Sequence, residues 1–580
     1  MSEALRRAYA ASTVSKRERY GRLRTSLWST RASFDSHWRE IADFLLPRRT
    51  RFQVSDRNRG DRRNQNIINS TGTFSIRTLQ SGLHAGLTSP ARPWFKLTTP
   101  DPELAKFPPV KRWLHESTRR MQDVFAQTNL YNSLPICYGD MGTFGTHAMA
   151  VLEDEVELFR TYPFAIGTYA LGLDRRGKVT TFVRDYQLTV RQVVEEFGVT
   201  RGYRDIDWDR ISIGVKDAWD KGDYENPVDL TWIVLPNVDR DDERIGSQYL
   251  PFASCHFETG EPRDGRGFLR ESGFRSFPIL APRWDVTDGD SYGTDCPGMT
   301  ALGDVKQLQS QERTKGKAMV KMVDPPMVGP TSLMTQKTSL LPGDVTYQDV
   351  REGMKGFQPA HEVRIDLSHL TVDIGKVEYR IQRAFYEDLF LMLAHSDESL
   401  GADRPTAREV QERHEEKLLA LGPVLERTND ELLDPLIDRA FELMEVGGLI
   451  DDPPDELDGV KLKIEYISIM AEAQKLVAVV AQDRFVASVL PLAEVAPETV
   501  DKVDYLQIVE NYGDMLGADP RILRTNEEAQ ARAQERAQAQ QAAMAADNAQ
   551  KMASAAKDAS QTPMGGDTAL TRLTTAMGGA

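Results

Sequence analysis

The chain has 580 residues, 40% hydrophobic and 27% charged, an ordinary globular composition with length for about four domains. Its 72 basic against 87 acidic residues give a net charge of −15, which argues against a protein that coats nucleic acid wholesale. Three cysteines (Cys137, Cys255, Cys296) without Cys-x-x-Cys spacing exclude a disulfide scaffold and a cysteine-rich zinc module.

No apolar run approaches the roughly 18 residues of a membrane span, and the stretch from Met1 to Arg7 lacks the apolar core of a signal peptide. The expectation is a soluble protein made in a reducing cytoplasm. Charge is uneven: residues 1–63 carry 16 basic and 7 acidic side chains, net +9, which leaves −24 for the remainder. That asymmetry suggests two surfaces with different partners, or a basic arm that docks on the acidic body of another copy.

In chain order, Ser15 and Glu18 spell a capping box. After it, Tyr20, Leu23, Leu27, Phe34, Trp38, Ile41 and Leu45 recur at three- and four-residue steps, with Arg31 the only break. The pattern predicts one helix over 15–46, ended by Pro47, lying against a large body or a neighbouring subunit. An arginine-dense stretch comes next: Arg48, Arg49, Arg51, Arg57, Arg59, Arg62 and Arg63. Two readings stand, phosphate contact and subunit contact. The second is preferred because no aromatics interleave for base stacking. Arg48, Arg49 and Arg51 are the candidate subunit contacts.

Residues 66–88 read as a helix with Leu79, Leu83 and Leu87 on one face and Gly82 and Gly86 placed for close packing. Another helix is expected over 110–126, strands over 150–185, and a short helix capped by Thr189 and Gln192. Residues 229–284 read as a mostly β module. The helix 299–323 is apolar at both ends but offers no large apolar residue from Gln309 to Lys317. Such an element suits a wall seen by solvent on one side and a sister helix on the other. A single helix is expected over 371–394, then a polar loop His395–Pro405, then another helix opened by a second capping box at Thr406 and Glu409. Pro423 and Pro435 bend or interrupt the chain beyond it, and Gly447-Gly448 ends that helical stretch. Residues 461–523 read as helical with short breaks. The Ala/Gln-rich tail, 526–580, has strong helix propensity and almost nothing to bury. A partly ordered helix and a disordered tether are both open.

Two catalytic motifs fail on context. Gly172 to Lys178 fits the phosphate-loop spacing, but Val179 stands where Ser or Thr must hold magnesium, and a β run comes after it instead of a helix. Gly289-Asp-Ser-Tyr-Gly293 matches a nucleophile elbow, yet Thr294 to Gly298 intervenes before the next helix. His115-Glu116, His361-Glu362 and His414-Glu415 each lack a second histidine, and Asp285, Asp288 and Asp290 miss calcium-loop spacing. The residues thus suggest neither an enzyme nor a cofactor or metal protein.

The order of segments resembles the portal, or head-to-tail connector, proteins of short-tailed double-stranded DNA bacteriophages. The matching stretches are Trp38 to Arg49, Leu79 to Phe95, Gly273 to Pro278 with Arg283-Trp284 and Tyr292-Gly293, and Pro405 to Val410 with Leu421 to Arg427 and Pro435 to Ile437. The resemblance implies a mainly helical α+β subunit of a ring, usually of twelve copies, with wing, stem, clip and crown regions. On it, 1–188 would be N-terminal wing and 189–228 the approach to the stem. The segment 229–295 would be a β-rich clip, 296–324 a stem helix, 325–460 wing with the channel loop, 461–525 crown, and 526–580 the tail.

The implied partners are further copies of the chain, the terminase large subunit, capsid and scaffolding proteins, tail adaptors, and double-stranded DNA passing through the channel during packaging and ejection. No membrane partner is implied. The implied location is the capsid vertex of the virion, after synthesis in the host cytoplasm. Candidate DNA-channel contacts are Lys315, Lys317, Lys321, Asp403 and Arg404. An acidic body with sparse lysines suits sliding over gripping, since each neutralised phosphate adds salt-sensitive affinity. The rival readings are a virion structural subunit without a channel, and a motor or nuclease of the packaging machinery.

Overall fold

The structure, a computed structural model, describes residues 14–56, 60–199, 205–241, 243–260, 267–323, 325–329, 331–334, 358–359, 367–395, 421–457, 459–467, 485, 507–509, 512–513 and 526–560. It divides into two compact units, one of residues 1–95 with 117–451 and one of 96–116 with 452–580. Mainly helical α+β architecture is what the described residues show.

In the first unit, helix α1 (Lys16–Phe44) carries the predicted stripe. Half of the expected capping box forms: the Ser15 hydroxyl accepts from the Glu18 N–H, while the Glu18 carboxylate turns to Arg22. Tyr20, Leu23 and Leu27 pack on Val183, Ile233, Cys255 and Phe257. Arg31, the break in the stripe, is only 2% exposed. It is an anchor: its Nη1 donates to the carbonyls of Gly167 (2.6 Å) and Tyr169 (2.9 Å), and it ion-pairs with Asp35. Further along, Trp38 meets Phe34 and Tyr292 and donates to the Phe144 carbonyl.

Helix α2 (Thr71–Leu87) begins later than expected and packs on α4 (Leu130–Phe144), which α3 (Pro108–Gln127) precedes. Gly142 leaves room for the Leu79 side chain, and Gly82 for the ring of Phe390. Gly86 faces open space, so only one of the two glycines expected for close packing is used that way.

Strands β1 (Met149–Asp154) and β2 (Leu158–Pro163) form a hairpin. A second hairpin joins β3 (Tyr169–Leu173) to β4 (Val179–Thr189), and helix α5 (Ile213–Asp220) comes after it. Thr189 and Gln192 make the predicted capping box. Strands β5 (Pro227–Pro236), β6 (Phe252–Glu258) and β7 (Arg270–Phe274) then extend the second hairpin into an antiparallel five-stranded sheet, β3-β4-β5-β6-β7. Strand β8 (Ile279–Leu280) joins β1 and β2. The β module expected from 229 is therefore no separate body: its first strand pairs along β4, Val183 opposite Ile233 and Arg184 opposite Trp232. Alternation gives that sheet one face against α1 and one face of its own chemistry.

Helix α6 (Pro297–Val323) confirms the long element expected near 299–323. Helices α7 (Ser368–Ala384) and α8 (Glu387–His395) replace the single helix expected over 371–394. The stripe Ile374, Val377, Ile381, Phe385, Leu389 is unbroken in sequence, but Tyr386 takes a left-handed φ of 57°, which turns the chain. Nothing in the apolar period announces that turn. It is held by Phe390 in the Gly82 notch and by Ser75, whose hydroxyl donates to Glu387.

Residues 421–428 are helical and continue through a π turn at Asn429–Leu433 into α9 (Asp434–Val446). The wide turn seats Pro435, which lacks an N–H, without ending the helix. Gly448, with φ 68°, closes it as expected. Two buried arginines fasten this helix. Arg283 pairs with Glu431 at 2.6 Å, and Arg439 donates to the Ser276 hydroxyl at 3.1 Å.

In the second unit Lys96 pairs with Glu465, and helix α10 (Asn526–Ser560) exposes nearly all of its described side chains. The second capping box, residues 396–405 of the loop and most of 461–525 lie outside the described residues.

Candidate functional site

Helix α6 changes character halfway. Its first half buries Ala301, Leu302, Val305, Leu308 and Gln309. Gln309 reads the backbone ahead of α2: its Oε1 accepts from the N–H groups of Ile68 (2.6 Å) and Asn69 (2.8 Å), and its Nε2 donates to the Asn69 carbonyl. Beyond it the same face continues as Gly316, Met319, Val320 and Val323 by helical period, and the last three are exposed. Val323 is 86% exposed, where a core position in the first half shows 1% at Val305. The polar middle seen in the sequence marks the point where the helix leaves the body.

Helix α7 runs antiparallel beside α6. Arg380 pairs with Asp304 at 2.8 Å, and Gln311 donates to Asp373, so advancing along one helix means retreating along the other. Past the end of α6, Met327–Val328 pairs antiparallel with Gln358–Pro359. Two helices and their far end thus make one projecting arm.

A basic stripe runs up the free face of the projecting half. Arg313, Lys317 and Lys321 stand four residues apart, about 6 Å per step at 1.5 Å rise, and all three are exposed. None has an ion-pair partner among the described residues. The structure therefore keeps Lys317 and Lys321 of the expected channel contacts together, and adds Arg313, whose i, i+4, i+8 spacing was available in the sequence. Lys315 lies off the stripe and pairs with Glu312 at 3.6 Å. Asp403 and Arg404 lie outside the described residues.

The expected subunit contacts separate in the same way. Arg49 is committed inside the subunit, 3.3 Å from the buried carboxylate of Asp140, which also meets His147 at 3.0 Å. Arg48 donates to the Asp61 carbonyl. Arg51 keeps an exposed side chain, while its backbone N–H bonds to the Ile166 carbonyl.

The two motifs that imitate catalytic loops have packing roles. Asp174 accepts from the N–H groups of Arg176 and Lys178, and Gly177 turns with φ 76°, which makes the phosphate-loop match a hairpin tip. Gly293 lies against the backbone of Gly145, and the Tyr292 hydroxyl accepts from the Leu171 N–H. The serine of that motif, Ser291, has no helix start behind it until Pro297. All three cysteines are buried and unpaired, and burial pushes the Cys255 and Cys296 thiols up to about 12. Among the described residues no His, Cys, Asp and Glu group could hold a metal, and no helix is long and apolar enough to cross a membrane.

Comparison with known proteins gives the family. The family model described as bacteriophage head to tail connecting protein matches residues 17–523. A portal protein of Salmonella phage epsilon15 is 45% identical over 563 residues, covering 97% of this chain and 99% of its own. A probable portal protein of Bordetella phage BPP-1 is 43% identical over 505 residues, covering 87% of each. A solved neck of an empty GTA particle, computed with C6 symmetry, aligns with 73% of this chain and 86% of its own at 11% identity and TM-score 0.35, too loose a superposition to argue from.

Proposed function

We infer the division of labour within the chain from one premise: it belongs to the bacteriophage head-to-tail connecting proteins, the portal proteins. It is a structural component of the virion at the head–tail junction, where a portal ring at the capsid vertex gives viral DNA its way in and out. The observation that carries the finer reading is the two-faced projecting half of α6. A helix that continues a core face into open solvent, beside a basic stripe without ion-pair partners among the described residues, has no use in an isolated subunit. In a ring it has two: Met319, Val320 and Val323 meet the neighbouring copy, and Arg313, Lys317 and Lys321 face DNA in the axial channel.

On this reading α6 and α7 are the two stem helices, and the segment joining them is the clip. This revises the expected assignment. No first stem helix is needed before residue 229, because the partner of α6 comes after it in the chain. The five-stranded sheet, continuous with β3 and β4 and clamped by α1, belongs to the wing with α9. Three cations per copy on a subunit of net charge −15 give DNA a lining that meets its phosphates without holding many of them. The terminase large subunit, tail adaptors, capsid and scaffolding proteins are the proposed partners of the ring's exposed ends and rim.

The test is the mass and image of the purified chain. About twelve copies of 65.2 kDa weigh about 780 kDa as a cyclic assembly of heterologous contacts. Rings with an axial hole are expected in negative stain. A protein that remains monomeric or dimeric at micromolar concentration would overturn the reading.

A further inference from the structure

The face of the five-stranded sheet turned away from α1 carries a largely buried cross-strand row, Tyr169–Arg184–Trp232–His256–Arg270, set by the register of β3 to β7. At its outer end Arg270 has a carboxylate, Glu196, at 2.8 Å. His256 stacks on Trp232 with rings 5.5 Å apart and 5° from parallel, and its Nδ1 shares a hydrogen with the Tyr186 hydroxyl at 2.9 Å. Both polar groups are therefore satisfied.

Arg184 is different. Its guanidinium lies between two rings, 4.5 Å from the centre of Phe164 and 5.2 Å from that of Tyr186. Its Nε is buried with no acceptor, and no carboxylate pairs with it among the described residues. Burial holds its pKa down at about 10, and the charge of Arg51 pushes the same way. A cation sunk among rings beside a second cation is an expensive arrangement for a subunit alone. The rings give a planar guanidinium a fixed, pre-organised pose, which is the pose a carboxylate engages through two parallel hydrogen bonds.

We propose that Arg184, with Arg51 at its rim, receives a carboxylate from a neighbouring copy of the chain. The proposal rests on the ring reading above, since a cyclic assembly sets the same two surfaces of each pair of neighbours together. Charge complementarity selects the occupant. Arg51 belongs to the basic N-terminal segment, net +9, and residues 64–580 of the next copy carry −24. Other anions, such as DNA phosphate, share the chemistry and are separated by the test.

The test compares the parent with Arg184→Met, which keeps the stem between the rings, and Arg51→Gln, an exposed change that leaves folding alone. Sedimentation velocity over a dilution series at several salt concentrations reads ring dissociation, and thermal melting reads the dissociated subunit. Expected are rings about tenfold easier to dissociate in either variant, with a shallower salt dependence and an unchanged or raised subunit melting temperature. A parent that forms no ring would overturn the ring reading and this contact together. Rings as stable in both variants as in the parent would overturn the contact alone. So would duplex DNA binding by the parent that Arg184→Met removes while ring stability stays the same.

Discussion

Helices α1 and α10 are of similar length, 29 and 35 residues, and opposite in fate. Helix α1 has a stripe of large apolar side chains, and each finds a place inside its own subunit, from Tyr20 on the sheet to Trp38 against Tyr292. Helix α10 is built of alanine and glutamine, and its two large apolar side chains, Met544 and Met552, are 66% and 77% exposed. Propensity alone makes a helix of α10, whereas packing makes one of α1. Helix length by itself therefore says nothing about what a helix supports. The side chains that must leave water decide that.

The contrast is sharpest in a pair of truncations. Trp38→Ala removes a fully buried ring and is expected to cost about 3–5 kcal/mol of subunit stability, against less than about 0.5 kcal/mol for Met544→Ala, both read by denaturant melting. Equal losses would break the comparison.

The sheet offers a test by pH. Burial, with Arg270 and Arg184 beside it, holds His256 down at about 3 from its ordinary 6.5, so folding favours the neutral ring. Its contribution is complete above about pH 6.5 and is lost as pH falls from there toward 3, by up to about 1.4 kcal/mol per unit. Melting curves of His256→Gln should be correspondingly flatter between about pH 6.5 and 4. An unchanged slope would mean the ring protonates without unfolding.

Helix α6 combines both fates, so its outer half is the place to convert one into the other. Val320→Asp should leave subunit melting within about 0.5 kcal/mol while weakening rings at least about tenfold by sedimentation. Replacing Arg313, Lys317 and Lys321 by alanine should lower the salt slope of DNA binding by about 0.9 for each phosphate no longer neutralised, with ring mass kept. The smallest effect is expected from deleting residues 526–580: rings of the parent's diameter, less the tail's mass. A truncated chain that stays monomeric would show that α10 is part of the assembly after all.

Much of this was legible in the sequence because the signal was apolar and periodic. The stripe of α1, the polar middle of α6 and the hairpin tip at Gly177 needed only spacing and turn chemistry. The features that escaped were fixed by groups distant in sequence. Arg31 reads as a flaw until the Gly167 and Tyr169 carbonyls stand opposite it. The sheet reads as two modules until β5 pairs with β4. Arg313 belongs with Lys317 and Lys321 only once α6 is known to leave the body before it reaches them. The antiparallel meeting of α6 and α7, on which the proposed stem rests, depends on pairs such as Asp304 with Arg380, some 76 residues apart.

The left-handed turn at Tyr386 has an electrostatic consequence beyond its geometry. By ending α7 and starting α8 within three residues, it creates two helix termini where a continuous helix would have none. Glu387 and Asp388 fall in the first turn of α8 and Arg383 in the last turn of α7, each where the aligned peptide dipoles favour its charge. The carboxylate that Ser75 holds is thus also facing a partial positive charge made by the backbone itself. Straightening the segment would erase both dipole ends together, leaving Glu387 and Asp388 as mid-helix acids beside a basic residue one turn away.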